Sequence, residues 1–181
     1  MARHPGFAVL VLLALFLTAG RAGAVEPSVL DGAQRLFYNG RYADAAAIAA
    51  SLCTSDPTTL DACELHISAL LFQIRRAIGD APDRDKALAA CGVCAPLLSS
   101  FVAETRRVQG IARARVALAP EDETALFFLG KIDLNYVWLQ LGTLGRKTGW
   151  DEFWEARRSL DKVLKANPGH VRAKVARAWI D

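Results

Sequence analysis

Turn formers and helix formers are sharply segregated along this chain, and that segregation leaves little room for anything but helices. Breakers fall at Asn39-Gly40, Asp56-Pro57, Gly79 to Pro82, Pro96, Pro120, Gly142 to Gly149 and Asn167-Pro168-Gly169. Between them Ala, Leu and Arg recur at spacings of three and four, the pattern of amphipathic helices, and strict apolar alternation is hard to find. The spacing predicts helices over 28–38, 43–54, 59–78, 83–91, 97–118, 122–141, 151–166 and 171–181. Ser28-x-x-Asp31 and Thr58-x-x-Asp61 read as capping boxes, with Asp in place of Glu or Gln. The expected class is all-α, built of antiparallel helix pairs. An apolar share of 52% with 23% charged residues excludes wholesale disorder.

The first 24 residues read as a secretory leader. A short basic start holds Arg3 and His4, Phe7 to Leu17 is unbroken apolar sequence, and Ala22-Gly23-Ala24 supplies the small-x-small pattern for cleavage after Ala24. The apolar core is too short to span a bilayer, so no stable membrane anchor is expected after cleavage. No Cys lies near the cleavage point, and no Arg pair precedes the run. The mature chain would be one domain over 25–181, periplasmic or secreted. Losing Arg3 and Arg21 takes the net charge from +3 to +1. Nucleic acid is therefore not an expected partner.

Internal repetition narrows the architecture. Gly40-Arg41-Tyr42-Ala43-Asp44-Ala45, then a helix, then Asp56-Pro57, resembles the second half of a tetratricopeptide repeat. Glycine makes the tight turn, Tyr42 packs across it, and Ala45 lets two helices approach. The same ending recurs at Ala119-Pro120 and Asn167-Pro168. Leu129-Gly130 matches the Leu-Gly pair of a first helix, and Phe153, Ala156, Leu160 and Val163 match a second-helix face. Pro57, Pro120 and Pro168 lie 63 and 48 residues apart, against a regular period of about 34. The resemblance thus implies a short, irregular, stacked solenoid. Val171 to Asp181 reads as the first helix of a further pair, exposing Val171, Val175, Ala178 and Trp179, so the natural chain is expected to continue past Asp181. A second likeness runs from Ala125-Leu126-Phe127-Phe128-x-Gly130 to Asn167-Pro168. It is similar to the T component of TRAP-type transporters, periplasmic and typically lipidated proteins that partner a solute-binding subunit; this chain lacks the lipidation cysteine.

All four cysteines, Cys53, Cys63, Cys91 and Cys94, lie in the exported part. An even count in an oxidising compartment argues for two disulfides among three possible connectivities. The tetratricopeptide resemblance places Cys53 and Cys63 on adjacent helices, which implies a staple between them. Cys91-Gly92-Val93-Cys94 would then close on itself or stay reduced. A redox motif of this form needs a strand before it, and a c-type haem site needs His where Ala95 stands. A four-cysteine zinc site would need free thiolates and a narrower first spacing.

Catalytic constellations are scarce. After the leader only His66 and His170 remain, the first on an apolar helix face and the second in a turn before a helix. HExxH, Gly-rich phosphate loops and Gly-x-Ser-x-Gly are all missing from the sequence. Asp80, Asp83 and Asp85 lack the Gly and distal Glu of a calcium loop. No catalytic residue, metal or cofactor is expected. Two surface features could bind something. One is the cationic series Arg106, Arg107, Arg113 and Arg115 with Arg75 and Arg76 nearby. The other is a Gly-rich loop carrying Arg146 and Lys147 ahead of Trp150, Phe153 and Trp154. The tetratricopeptide resemblance further implies a concave partner groove at Gln34 and Tyr38, Glu64 and Ser68, and Lys131 and Asn135. The expected function is an exported, non-catalytic scaffold that binds a partner protein or peptide in the cell envelope. The alternatives are an accessory component of a TRAP-type uptake system, or a thiol–disulfide protein using Cys91 and Cys94.

Overall fold

A computed structural model describes residues 28–180, so the expected leader and its cleavage point lie outside the described residues. Every regular element among those residues is helical. The helices are α1 (Val29–Tyr38), α2 (Tyr42–Ser55), α3 (Leu60–Ile78), α4 (Arg84–Ala90), α5 (Cys94–Leu118), α6 (Glu123–Val137), α7 (Trp150–Ala166) and α8 (Val171–Ala178). A π-helical turn, Trp138–Thr143, extends α6.

The sequence signals act at the ends of these helices. Ser28 and Asp31 form the expected box: Ser28 Oγ accepts from the Asp31 N–H at 3.1 Å, and Asp31 accepts from the Ser28 N–H at 2.9 Å. The Thr58 box does not form. Thr58 and Thr59 instead donate their hydroxyls to Asp56, at 2.6 and 2.8 Å, which fixes the turn and leaves α3 without a side-chain cap. α5 begins at Cys94, not after Pro96, because a proline in the first turn gives up only an N–H that has no helical acceptor. Gly142 does not end the sixth helix either; the chain widens into the π turn and stops at Thr143. At the α1–α2 turn Gly40 takes φ 73°, a left-handed conformation that glycine supplies without strain.

Each long helix packs on its neighbours in the chain: α1 on α2, α2 on α3, α6 on α7 and α7 on α8. α3 departs from that order by packing on both α5 and α6. The main core lies among α3, α5, α6, α7 and α8, around Ile67, Phe101, Val108, Ile132 and Leu160. The first three helices meet through alanines, Ala33 and Ala49 in one cluster and Ala45, Ala46 and Ala69 in another. Gly130 of α6 faces α7 so closely that an added Cβ would lie 3.0 Å from Leu160 Cγ and 3.3 Å from the Ala156 carbonyl. α8 buries Ala173 and Ala176 and leaves Val171, Val175 and Trp179 exposed. Trp179 meets Trp138 edge to face at 5.6 Å. Among the described residues no single helix is long and apolar enough to cross a membrane.

Candidate binding site

One corner of the molecule gathers four separate segments. They are the Gly40–Tyr42 turn, the last turn of α3, the stretch leading through α4 into α5, and the π turn after α6. Two adjoining cavities open there and share Gly40, Tyr42 and Arg76 as a common wall. The larger, about 880 Å³, runs toward the Cys91–Cys94 turn past Val93, Pro96 and Leu97, with Gln73 and Ser100 as polar edges. The smaller, about 450 Å³, runs toward Gly142 and Thr143 and is lined by Arg75, Arg76 and Arg84. Arg76 spans the wall: it donates to the Gly40 carbonyl at 2.9 Å and stands 6.0 Å over the Tyr42 ring. Phe37, Tyr42 and Phe72 pack together behind it, with ring centroids 5.2–5.4 Å apart.

Both disulfides form. Cys53–Cys63 ties α2 to α3, with Cα atoms 4.8 Å apart, and Cys91–Cys94 closes the turn between α4 and α5. The first lies under α5. Arg107 donates to Cys53 Sγ at 2.9 Å, and Glu104 Oε1 lies 3.3 Å from the same sulfur and 3.7 Å from His66 Nδ1. Hydrogen bonds from Arg107, and then the nearby His66 imidazole, hold the Glu104 carboxyl down at about 2. Cys53, Cys63 and Glu104 could in principle surround a metal ion. With the two sulfurs joined to each other, neither is a thiolate that could ligate one.

The expected groove divides in two. Gln34 and Tyr38 stay on α1, Tyr38 at 83% exposure. Glu64, Ser68, Asn135 and Lys131 do come together, but by closing on one another where α3 packs against α6. Asn135 Nδ2 donates to Glu64 Oε1 at 3.1 Å and to Ser68 Oγ at 3.0 Å, and the Ser68 hydroxyl donates to Glu64 at 2.7 Å. Lys131 Nζ stands 3.6 Å from the same carboxylate. Glu64, Ser68 and Asn135 are buried, so this part of the expected partner groove is an internal polar contact and offers no open wall.

The cationic series on α5 is largely neutralised. Arg107 pairs with Glu104, Arg113 with Glu155 and Arg115 with Asp122, leaving Arg106 exposed. Arg146 pairs with Asp85 at 3.2 Å and Lys147 is exposed, while Trp150 and Trp154 flank Phe153 edge to face. Their ring faces stay half exposed because α7 turns them away from the core. His66 is largely buried beside Glu104, and His170 caps α8, its Nδ1 accepting from the Ala173 N–H at 3.0 Å.

Arg84 and Thr143 are not among the residues that the sequence singles out. A signal for them was present: three arginines flank the Gly79 turn within ten residues, facing three acids of which one caps α4 and one pairs with Arg146. No protein-family model matches the chain, and no curated protein or solved structure matches it.

Proposed function

We propose that this chain is an exported, non-catalytic helical-repeat protein of tetratricopeptide-like construction that binds a partner protein or peptide in the cell envelope. The observation that carries the reading is the cleft of about 880 Å³, in which apolar Val93, Pro96 and Leu97 face Gln73, Ser100 and the Gly40 turn. Val93 is 59% exposed there, an apolar side chain at the lip of a cavity with polar edges, as a peptide site requires. The repeat reading draws support from the Gly40 turn with Tyr42 packed across it, from buried Ala45, and from the close approach of Gly130 to α7. Two disulfides suit an oxidising compartment.

The test is capture from cell-envelope extract by the wild-type chain and by Val93→Glu and Leu97→Glu. A partner retained by the wild type and lost by both variants is the expected result. Capture that neither substitution weakens removes the cleft from the reading. Intact mass of the exported protein checks the leader: cleavage after Ala24 is expected, with both disulfides oxidised.

A second reading, thiol–disulfide exchange at Cys91–Cys94, is favoured by one observation. Cys91 is only half buried, and Gly92 and Val93 between the two cysteines form part of the cleft wall. Turnover in an insulin-reduction assay, lost in Cys91→Ser, supports that reading; no turnover eliminates it.

A further inference from the structure

The smaller cavity has chemistry that partner binding does not use. It brings Arg75 and Arg76 from the last turn of α3 together with Arg84 from the first turn of α4. Asp80 is the single acid on its wall. Among the described residues none of the three arginines forms an ion pair with a carboxylate, whereas Arg41, Arg107, Arg113, Arg115, Arg146 and Arg157 each do. They are held in place by other means. Arg76 donates to the Gly40 carbonyl, Arg84 donates to the Gly79 carbonyl at 2.8 Å, and Arg75 stands 5.3 Å over the Phe72 ring. Each guanidinium has five N–H donors, so anchoring by one leaves most of the fork free. A basic residue in a last turn complements the helix dipole, but that does not account for Arg84, which enters from the next element.

Thr143 lies against the same cavity. It lines this cavity from the π turn, it is 2% exposed, and its hydroxyl has no hydrogen-bond partner. Its oxygen is itself closed off from solvent, so the hydroxyl stands behind the cavity wall and meets a ligand only if the π turn shifts. π turns within helices are frequent at functional sites.

We propose that this cavity binds the phosphoryl group of a small phosphorylated solute. A phosphate monoester carries three terminal oxygens and up to two negative charges, which matches three unneutralised guanidiniums. A carboxylate offers two oxygens on one edge and a single charge. At about 450 Å³ the space exceeds a bare phosphate and lies within the range of small-molecule sites. Phe72 and Tyr42 give the ligand body an apolar wall, and Asp80 can accept from a hydroxyl at the mouth. The inference does not rest on the peptide cleft, and its test shares no variant with that reading.

The test is isothermal titration of protein produced from the full chain, disulfides intact, at low ionic strength. The titrants are inorganic phosphate, phenyl phosphate and succinate. Saturable one-site binding of both phosphates is expected, with phenyl phosphate tighter and succinate weaker. Arg75→Gln and Arg84→Gln should each weaken binding roughly tenfold or more, and Arg106→Gln, outside the cavity, should leave it unchanged. Thr143→Val should leave phosphate binding unchanged and the urea midpoint of the free protein equal or higher, since it removes a closed-off, unpartnered hydroxyl at constant shape. If Arg84→Gln disturbs the Gly79 turn, Arg75→Gln, whose guanidinium makes no backbone contact, still decides. Failure of both phosphates to saturate, succinate binding as tightly, or an affinity that Arg75→Gln leaves intact overturns the proposal. So does an equal loss in Arg106→Gln.

Discussion

Asp133 is fully buried in the middle of α6, and burial decides its protonation. Gln109 donates to its Oδ1 at 2.7 Å, while Oδ2 has no partner as a carboxylate oxygen. Burial, and then the charge of Glu155, push the carboxyl up to about 8 against the pull of Gln109 and Arg113. The neutral form gives Oδ2 a proton to donate toward Glu155. An unfolded Asp releases its proton near pH ~4, so between there and about 8 the folded chain binds one proton more than the unfolded chain. Stability therefore falls as pH rises through that window. Asp133→Asn keeps an acceptor for Gln109 and a donor for Glu155 without the charge. Urea titrations at several pH values should show a flatter slope, and a gain of at least about 1 kcal/mol at alkaline pH. Gly130 is the opposite case, a residue fixed by space alone. Its alanine variant must push against Leu160 and the Ala156 carbonyl. We expect a net loss of about 1–2 kcal/mol in urea, overpacking outweighing the gain in helix propensity.

Between elements, polar groups and disulfides hold what alanine contacts alone would hold weakly. α1, α2 and α3 share small apolar clusters, and Cys53–Cys63 joins the second of these helices to the third. Replacing both cysteines by alanine closes off that staple; thermal and urea melts should show a loss of about 2–3 kcal/mol, as a short closed loop implies. The α3–α6 contact is different, because it buries a carboxylate. Asn135→Ala removes the amide that donates to Glu64 and Ser68, and the unsatisfied acceptors should cost about 1–3 kcal/mol in the same assay. Element boundaries were largely legible from the sequence because glycine, proline and the capping residues act locally. The exceptions have local causes too: Pro96 fits inside a first turn, and the π turn absorbs Gly142. Pairing across elements was less legible. Periodicity shows that Glu64 and Asn135 sit on helices, but not that α3 packs on α6 and turns both residues inward.

For the molecule as a whole, the two most strongly perturbed carboxyls act on opposite sides of one profile. Glu104, held at about 2 by Arg107 and His66, contributes stability above the usual Glu value near ~4.3 and loses it as pH falls through about 2. Asp133 contributes most at low pH and loses its contribution as pH rises toward 8. A stability maximum near pH ~4–5 follows, and thermal melts across pH 2–9 check it. The all-helical class was written in the breakers and the three-and-four spacing. The cavities were not, since each is assembled from segments far apart in the chain: Gly40, Arg75, Arg84 and Thr143 share no motif. Only the arginine excess around Gly79 was visible locally, and without the fold it could not be told from a solvated surface. The disulfides were legible by count, and their pairing became so only through the turn that sets Cys53 beside Cys63.

The Trp138–Trp179 contact carries a consequence for how unfolding is observed. All four tryptophans, Trp138, Trp150, Trp154 and Trp179, belong to the chain after α6, while Tyr38 and Tyr42 lie at the other end. Edge-to-face indoles at 5.6 Å couple their electronic transitions, so lifting α8 away from the π turn should abolish an exciton signal in circular dichroism while the rest of the helices still absorb unchanged. Indole emission, by the same placement, is blind to the alanine-packed α1–α2 hairpin. Helix ellipticity and tryptophan fluorescence will trace the same denaturation curve only if both ends of the molecule let go together.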